Sequence, residues 1–178
     1  MKAISIIGLG NVGSILASHI LVNVRSIDNL YIYDINTSKM FANYLDLMDM
    51  KDILGIPTTI NLGIPKKNAI YIITAGRPRK SSEDDYNFNH NYKIVKQIVE
   101  KIGKDELIYI ITNPTDRITK MLKKDGYNVK SIGVVLDNSR YSRFGNSDVI
   151  AGIIIDWKGY TAFGVVADVL KNLSEDLK

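Results

Sequence analysis

Residues 8–13 read Gly-Leu-Gly-Asn-Val-Gly, directly after the apolar run that follows Lys2. Glycines at 8, 10 and 13 make the spacing G-x-G-x-x-G, which has a chemical use where a strand turns into a helix. The first glycine permits a tight turn, the second lets the backbone approach a pyrophosphate, and the third allows the helix to pack closely. Asn11 and Val12 stand inside the turn, where the free N–H groups of a helix N-terminus meet phosphate oxygens. Asp34 ends the next apolar run. An acid about 20 residues beyond such a turn can bond both ribose hydroxyls of an adenosine. It also repels a 2′-phosphate, and Ile35, Asn36 and Thr37 supply no arginine to offset that. The constellation therefore points to NAD rather than NADP. An ordinary strand-to-helix turn would explain the glycines alone, but not the glycines and the acid together.

Those residues need a scaffold of strands that deliver them to one edge. Short apolar runs alternate with longer stretches of helical period, which is the pattern of a parallel sheet covered on both faces. The fold class is α/β. Strands are predicted at Lys2–Ile7, Leu30–Asp34, Thr58–Leu62, Ala69–Thr74, Leu107–Thr112 and Ser131–Leu136. Helices are predicted at Val12–Val24, Ser38–Met50, Tyr86–Ile102 and Thr115–Lys124, with a short one from Asn138. Six strands in this sequence suggest a doubly wound Rossmann sheet of order 3-2-1-4-5-6. The polar stretch from Gly76 to Asp85 falls near the point where strand order reverses, and Phe163, Val166, Ala167, Leu170 and Leu173 sit at the spacing of a final amphipathic helix.

The 178 residues accommodate one domain with a sizeable core. The expected division is a dinucleotide-binding domain over 1–145 and a short remnant of a substrate region over 146–178, its last helix packed on the core or sealing a homodimer. Hydrophobic residues are 46% and charged residues 24%, a globular composition that argues against disorder. The longest apolar stretches, such as Val149–Ile155, are too short to cross a bilayer. Without cysteine there is no disulfide framework, which makes a cytoplasmic setting the default. The net charge of +4 modestly favours anionic ligands, but the basic residues lack the interleaved aromatics of a nucleic-acid platform. The expected partner is a nicotinamide dinucleotide, with neither membrane nor nucleic acid.

Several further motifs carry a family resemblance. Over roughly Met1 to Arg140 the sequence resembles the malate and lactate dehydrogenases. Thr74, Ala75, Gly76, Pro78, Arg79 and Lys80 resemble the family segment after the fourth strand, whose backbone lies along the cofactor. Thr112, Asn113, Pro114 and Asp116 resemble the segment after the fifth, whose asparagine contacts nicotinamide ribose and substrate. Leu136, Asp137, Ser139 and Arg140 resemble a later motif, in which the aspartate orients a histidine and the arginine holds a substrate carboxylate. Asp46 with Leu47, and Asn89 with Asn91, match lesser features, and Asn91 is counted among the cofactor-binding residues. Arg79 stands where malate dehydrogenases resemble one another in having arginine. A planar guanidinium there can grip a second carboxylate through paired hydrogen bonds.

Two departures bear on catalysis. Glu83, Asp84, Asp85 and Tyr86 occupy the stretch where the family has an arginine that polarises the reacting carbonyl, so the local charge is reversed. The chain has two histidines, His19 and His90, and neither follows Asp137. Instead Lys158, Gly159, Tyr160 and Thr161, with Val166, Ala167 and Asp168, resemble a much later family helix. Asp137 is thus a vestigial orienting carboxylate, and hydride transfer to 2-oxo acids is expected to be lost or very weak. The alternative is an active minimal NAD-dependent 2-hydroxy-acid dehydrogenase. Tyr92 and Lys96 have the Y-x-x-x-K spacing of short-chain reductases, but they follow the fourth strand rather than the fifth, and such spacing arises easily by chance.

Overall fold

The computed structural model describes residues 2–77 and 87–178. Arg79, Pro78 and Lys80, together with the 81–86 stretch that carries the acidic run, lie outside the described residues.

Isoleucine-rich runs with few polar interruptions suit strands buried on both faces. They form β1 (Ala3–Ile7), β2 (Asn29–Tyr33), β3 (Thr59–Leu62), β4 (Ala69–Ile73), β5 (Ile108–Ile110) and β6 (Val129–Ser131). All neighbouring pairs are parallel, in the order β3-β2-β1-β4-β5-β6. This is the doubly wound Rossmann arrangement expected from the alternation of runs. In β1, Ile7 is paired with Tyr33 of β2 and with Ile73 of β4, so the carboxyl ends of these three strands are level. That level edge brings residues 8, 34 and 74 together.

The helices among the described residues are α1 (Asn11–Asn23), α2 (Thr37–Leu54), α3 (Phe88–Ile102), α4 (Thr115–Lys124), α5 (Val134–Phe144), α6 (Ser147–Lys158) and α7 (Phe163–Asp176). One face of the sheet packs Ile4, Ile6, Leu30 and Ile72 against Leu16 and Ile20 of α1 and Val169 and Leu173 of α7. The other packs Ile7, Tyr71, Ile73 and Ile110 against Val95 and Val99 of α3 and Ile118 and Leu122 of α4. The apolar stripe of the last helix is therefore used inside the chain. Its far end is held as well, since the Tyr109 hydroxyl donates to Asp176 and the Lys130 ammonium lies 3.1 Å from the same carboxylate.

The structure corrects the last predicted strand. Ser131–Leu136 reads as a strand because Ile132, Val134, Val135 and Leu136 are apolar and β-favouring. In the folded chain β6 ends at Ser131, and Gly133, at φ 137°, turns the backbone in a way that side-chain-bearing residues rarely adopt. The Asp137 N–H then bonds the Gly133 carbonyl at 2.9 Å, so α5 starts at Val134 rather than near Asn138. Residues 147–158, where the sequence pattern predicts no element, form α6. Asn146 caps it by accepting from the Val149 N–H at 3.1 Å, and Gly152 is its one buried residue. An apolar run with so little of it inside does not show a clear amphipathic period, which is why the pattern was silent there.

Candidate functional site

The glycine turn is built by steric exclusion. Gly8 has φ +104°, and a Cβ there would lie 2.5 Å from the Ala75 nitrogen. At Gly13 a Cβ would meet the Gly8 carbonyl oxygen at 1.9 Å, so the first turn of α1 can seat against the strand end only without a side chain. At Gly10, by contrast, nothing lies within 4 Å of an added Cβ. The space beside this stretch of backbone is open. Ser14 makes the first intrahelical bond, to the Gly10 carbonyl at 3.0 Å, which leaves the N–H groups of Asn11, Val12 and Gly13 at the helix N-terminus facing that opening.

Asp34 lies one residue past β2 and is half-buried. Its Oδ2 accepts from the Leu9 N–H at 2.6 Å and its Oδ1 from the Asn36 N–H at 2.9 Å. The acid thus pins the glycine turn to the end of β2. Each carboxylate oxygen has a second lone pair, so the same group retains acceptor capacity for ribose hydroxyls. The cradle at Gly10, the helix N-terminus and this anchored carboxylate together fit a dinucleotide.

Side chains also stitch the neighbouring strand ends. The Thr74 hydroxyl donates to the Gly8 carbonyl at 2.6 Å, joining the ends of β4 and β1. The Thr112 hydroxyl donates to the Ala75 carbonyl at 2.8 Å, joining β5 to β4. Asn91, on α3 and only 1% exposed, accepts from the Arg77 N–H at 2.7 Å and donates to the Asn113 and Arg77 carbonyls at 2.8 and 3.2 Å. Asn113 is exposed, and its Oδ1 accepts from the Thr115 hydroxyl at 3.1 Å. Gly8, Gly10, Gly13, Asp34, Thr74, Ala75, Gly76 and Asn113 therefore share one edge of the sheet. The sequence reading singled out Thr112 only as part of a motif. The available signal was a polar residue closing an otherwise apolar strand.

The α5 region is organised differently. The Asp137 carboxylate, exposed on the first turn of α5, accepts from the Ser147 hydroxyl of α6 at 2.5 Å. Arg140, one helical turn on, is buried. Asp168, on α7 and 3% exposed, accepts from the Leu136 N–H at 3.2 Å and from the Asn172 amide at 2.8 Å. It satisfies an orphan donor at the start of α5 and so fixes that helix from a residue far along the chain. Sequence reading placed Asp168 in a motif without seeing this role, which depends on a contact across 32 residues. Both histidines are exposed, His19 on α1 and His90 on α3. Tyr92 and Lys96 are engaged with Asp125 instead, the ammonium 3.3 Å from its carboxylate.

Among the described residues, an open groove of about 530 Å³ lies beside Asp116, Thr119, Lys123 and Ser131, and another of about 390 Å³ beside Ala3, Asn68 and Glu106.

Residues 2–133 match the sequence model of the lactate/malate dehydrogenase, NAD binding domain. The malate dehydrogenase of Hydrogenobaculum sp. (strain Y04AAS1) is 33% identical over 169 residues, which covers 80% of this chain and 50% of that protein. The chain spans about half the length of the curated relatives it matches. Malate dehydrogenase from Cryptosporidium parvum superposes with a TM-score of 0.69 at 28% identity, covering 83% of this chain and 52% of that one. The structure of malate dehydrogenase from Plasmodium falciparum superposes with a TM-score of 0.84 over 99% of this chain and 78% of that one; at 20% identity this is a likeness of fold. The glycine turn, its anchored acid and the matched segment are parts of one inheritance: the chain belongs to the lactate/malate dehydrogenase family and carries that family's NAD-binding domain.

Proposed function

We propose that the chain binds NAD(H) and has lost, or nearly lost, its own hydride transfer to 2-oxo acids. In this reading Gly10, Asn11, Val12 and Gly13 hold the diphosphate, Asp34 the adenosine ribose, and Thr74, Ala75, Gly76 and Asn113 the nicotinamide half. Bound nicotinamide would supply or accept the hydride. Asn113 and Arg140, with Arg79, would hold a small dicarboxylate. The observation that carries the loss of catalysis is the hydrogen bond from Ser147 to Asp137 at 2.5 Å. A hydroxyl engages the carboxylate that the family resemblance pairs with an imidazole.

General acid catalysis commonly supplies about 10² to 10⁴ in rate. Its loss would take a typical turnover of about 10 s⁻¹ to roughly 0.1 s⁻¹ or less. Purified chain should bind NADH in a calorimetric titration yet oxidise it only at trace rates with oxaloacetate or pyruvate, unaffected by Asp137→Asn. A robust rate abolished by Asp137→Asn would establish the active minimal dehydrogenase instead.

The same proposal includes a cytoplasmic homodimer and a division of the chain near residue 145. Support for self-association comes from apolar side chains left at the surface: Tyr141 and Phe144 on α5, Val149 and Trp157 on α6, Phe41 and Leu45 on α2. Apolar area exposed to water costs about 25 cal/mol per Å². Light scattering should give twice the chain mass, and a monomer at every concentration would remove the dimer. No helix among the described residues is long and apolar enough to cross a membrane.

A further inference from the structure

We propose that Asn91 is a positioning residue that locks together the two strand-end loops receiving the nicotinamide half, and that it does not itself touch the cofactor. The inference rests on the cofactor reading above and separates from it experimentally.

A primary amide offers two donor hydrogens. In Asn91 the amide nitrogen donates to the Asn113 carbonyl at 2.8 Å and to the Arg77 carbonyl at 3.2 Å, while Oδ1 takes the Arg77 N–H at 2.7 Å. One side chain thereby holds main chain on both sides of the crevice, just past β4 and just past β5. The site is packed as well as bonded. A Cβ on Gly76 would lie 2.5 Å from the Thr112 methyl and 3.1 Å from Asn91 Oδ1, so the loops meet with no room for a side chain between them. With 1% of its surface exposed, Asn91 is behind the loops rather than on their outer face. To contact a dinucleotide it would have to give up the hydrogen bonds it makes to the Arg77 and Asn113 main chain, which is unfavourable. Asn113, by contrast, is exposed and set at its carbonyl by Asn91, so Asn91 acts on the ligand through Asn113.

This division of labour predicts that the two halves of NADH respond differently. Asn91→Asp keeps an acceptor for the Arg77 N–H but removes both donations and sets a carboxylate against two carbonyls. ADP, which reaches only the glycine turn and Asp34, serves as the probe of the adenosine half. In calorimetric titrations of the full chain, NADH affinity should fall about tenfold or more while ADP affinity stays within about twofold. Parallel loss of both, or loss of neither, would overturn the clasp. If wild-type chain bound ADP and NADH equally well, the nicotinamide-end assignment itself would fall and the clasp with it. Hydrogen exchange on the wild-type chain gives a second readout that needs no variant to fold. The Arg77 amide should be protected without ligand and remain so when NADH is added. Faster exchange at Arg77 on NADH binding would mean that Asn91 leaves its post to meet the cofactor, and the proposal would be wrong.

Discussion

The glycine turn and the α5–α7 region both use a carboxylate to hold backbone N–H groups, but they assemble it from very different reaches of chain. Asp34 bonds Leu9 and Asn36, and a single β1–α1–β2 unit supplies all three. Asp168 bonds Leu136 and Asn172, and its partner on α5 lies 32 residues away, with α6 intervening. The first device is a local consequence of strand and helix geometry that can be moved as a unit. The second exists only after α7 has folded back onto α1 and the sheet. The first needs only neighbouring strand ends, with Thr74 and Ala75 closing it from β4. The second depends on every element that packs around it.

Substitutions can break this contrast, and the largest effect is expected at Gly13. Gly13→Ala places a methyl at 1.9 Å from the Gly8 carbonyl, so α1 must move away from the strand ends. Stability should fall by about 3 kcal/mol, at the upper end of overpacking, and NADH binding should vanish. Gly10→Ala is the control, since its Cβ meets open space. Chemical denaturation should leave the control within about 0.5 kcal/mol of wild type, while its NADH affinity falls because the methyl occupies the phosphate approach. Equal destabilisation by both would mean that the cradle is not shaped by contact at Gly13.

Asp168→Ala tests the second region. It leaves the partly buried Leu136 N–H without its acceptor, while the Asn172 amide keeps its bond to the Asp168 carbonyl, which should cost about 1 to 2 kcal/mol. ADP affinity should not change, because the glycine turn does not depend on α5. A drop in ADP affinity would show the regions to be coupled after all.

Asp34→Ala should destabilise by about 1 kcal/mol through loss of two acceptors at the turn. It should also narrow the preference for NADH over NADPH, measured by paired titrations. A wild-type chain that binds NADPH more tightly would defeat the role given to this carboxylate.

The smallest effect concerns pH and the far end of α7. Burial alone would raise the Asp176 pKa, but hydrogen bonds from Tyr109 and Lys130 and the Lys130 charge outweigh it and hold the carboxyl below its usual range. A carboxylate with a lowered folded pKa contributes stability above the unfolded value, near 3.9, and loses it as pH falls through the folded value. Tyr109 is shifted upward, chiefly by burial and then by Asp176, so its contribution is present below the unfolded tyrosine value and is lost in strong alkali. The Lys130–Asp176 pair is partly solvated, so the effect should stay under about 1 kcal/mol. Asp176→Asn should flatten the acid limb of a stability–pH curve. An unchanged limb would show that this contact does not hold α7.

Strand order and the cofactor turn were legible because they follow from near-neighbour patterns: β-favouring isoleucine runs, a glycine spacing, and an acid one strand away. The sixth strand was misread for the same reason in reverse. Residues 132–136 have strand-like side chains, and only the φ of 137° at Gly133 reveals that the chain has already left the sheet. Asn91 was legible as a polar residue in a family motif, but its orientation behind the loops was not.

The amino-acid sequence by itself determined the parallel α/β sheet, the position of the glycine turn and the acid one strand away, because each depends on residue type at short spacing. Tertiary structure alone decided that α7 covers the sheet, that Asp168 caps α5, that Asp137 meets Ser147 and that Asn91 joins two loops. Those contacts join elements remote in the chain, and no local periodicity encodes which buried donor will find which acceptor once the helices have packed.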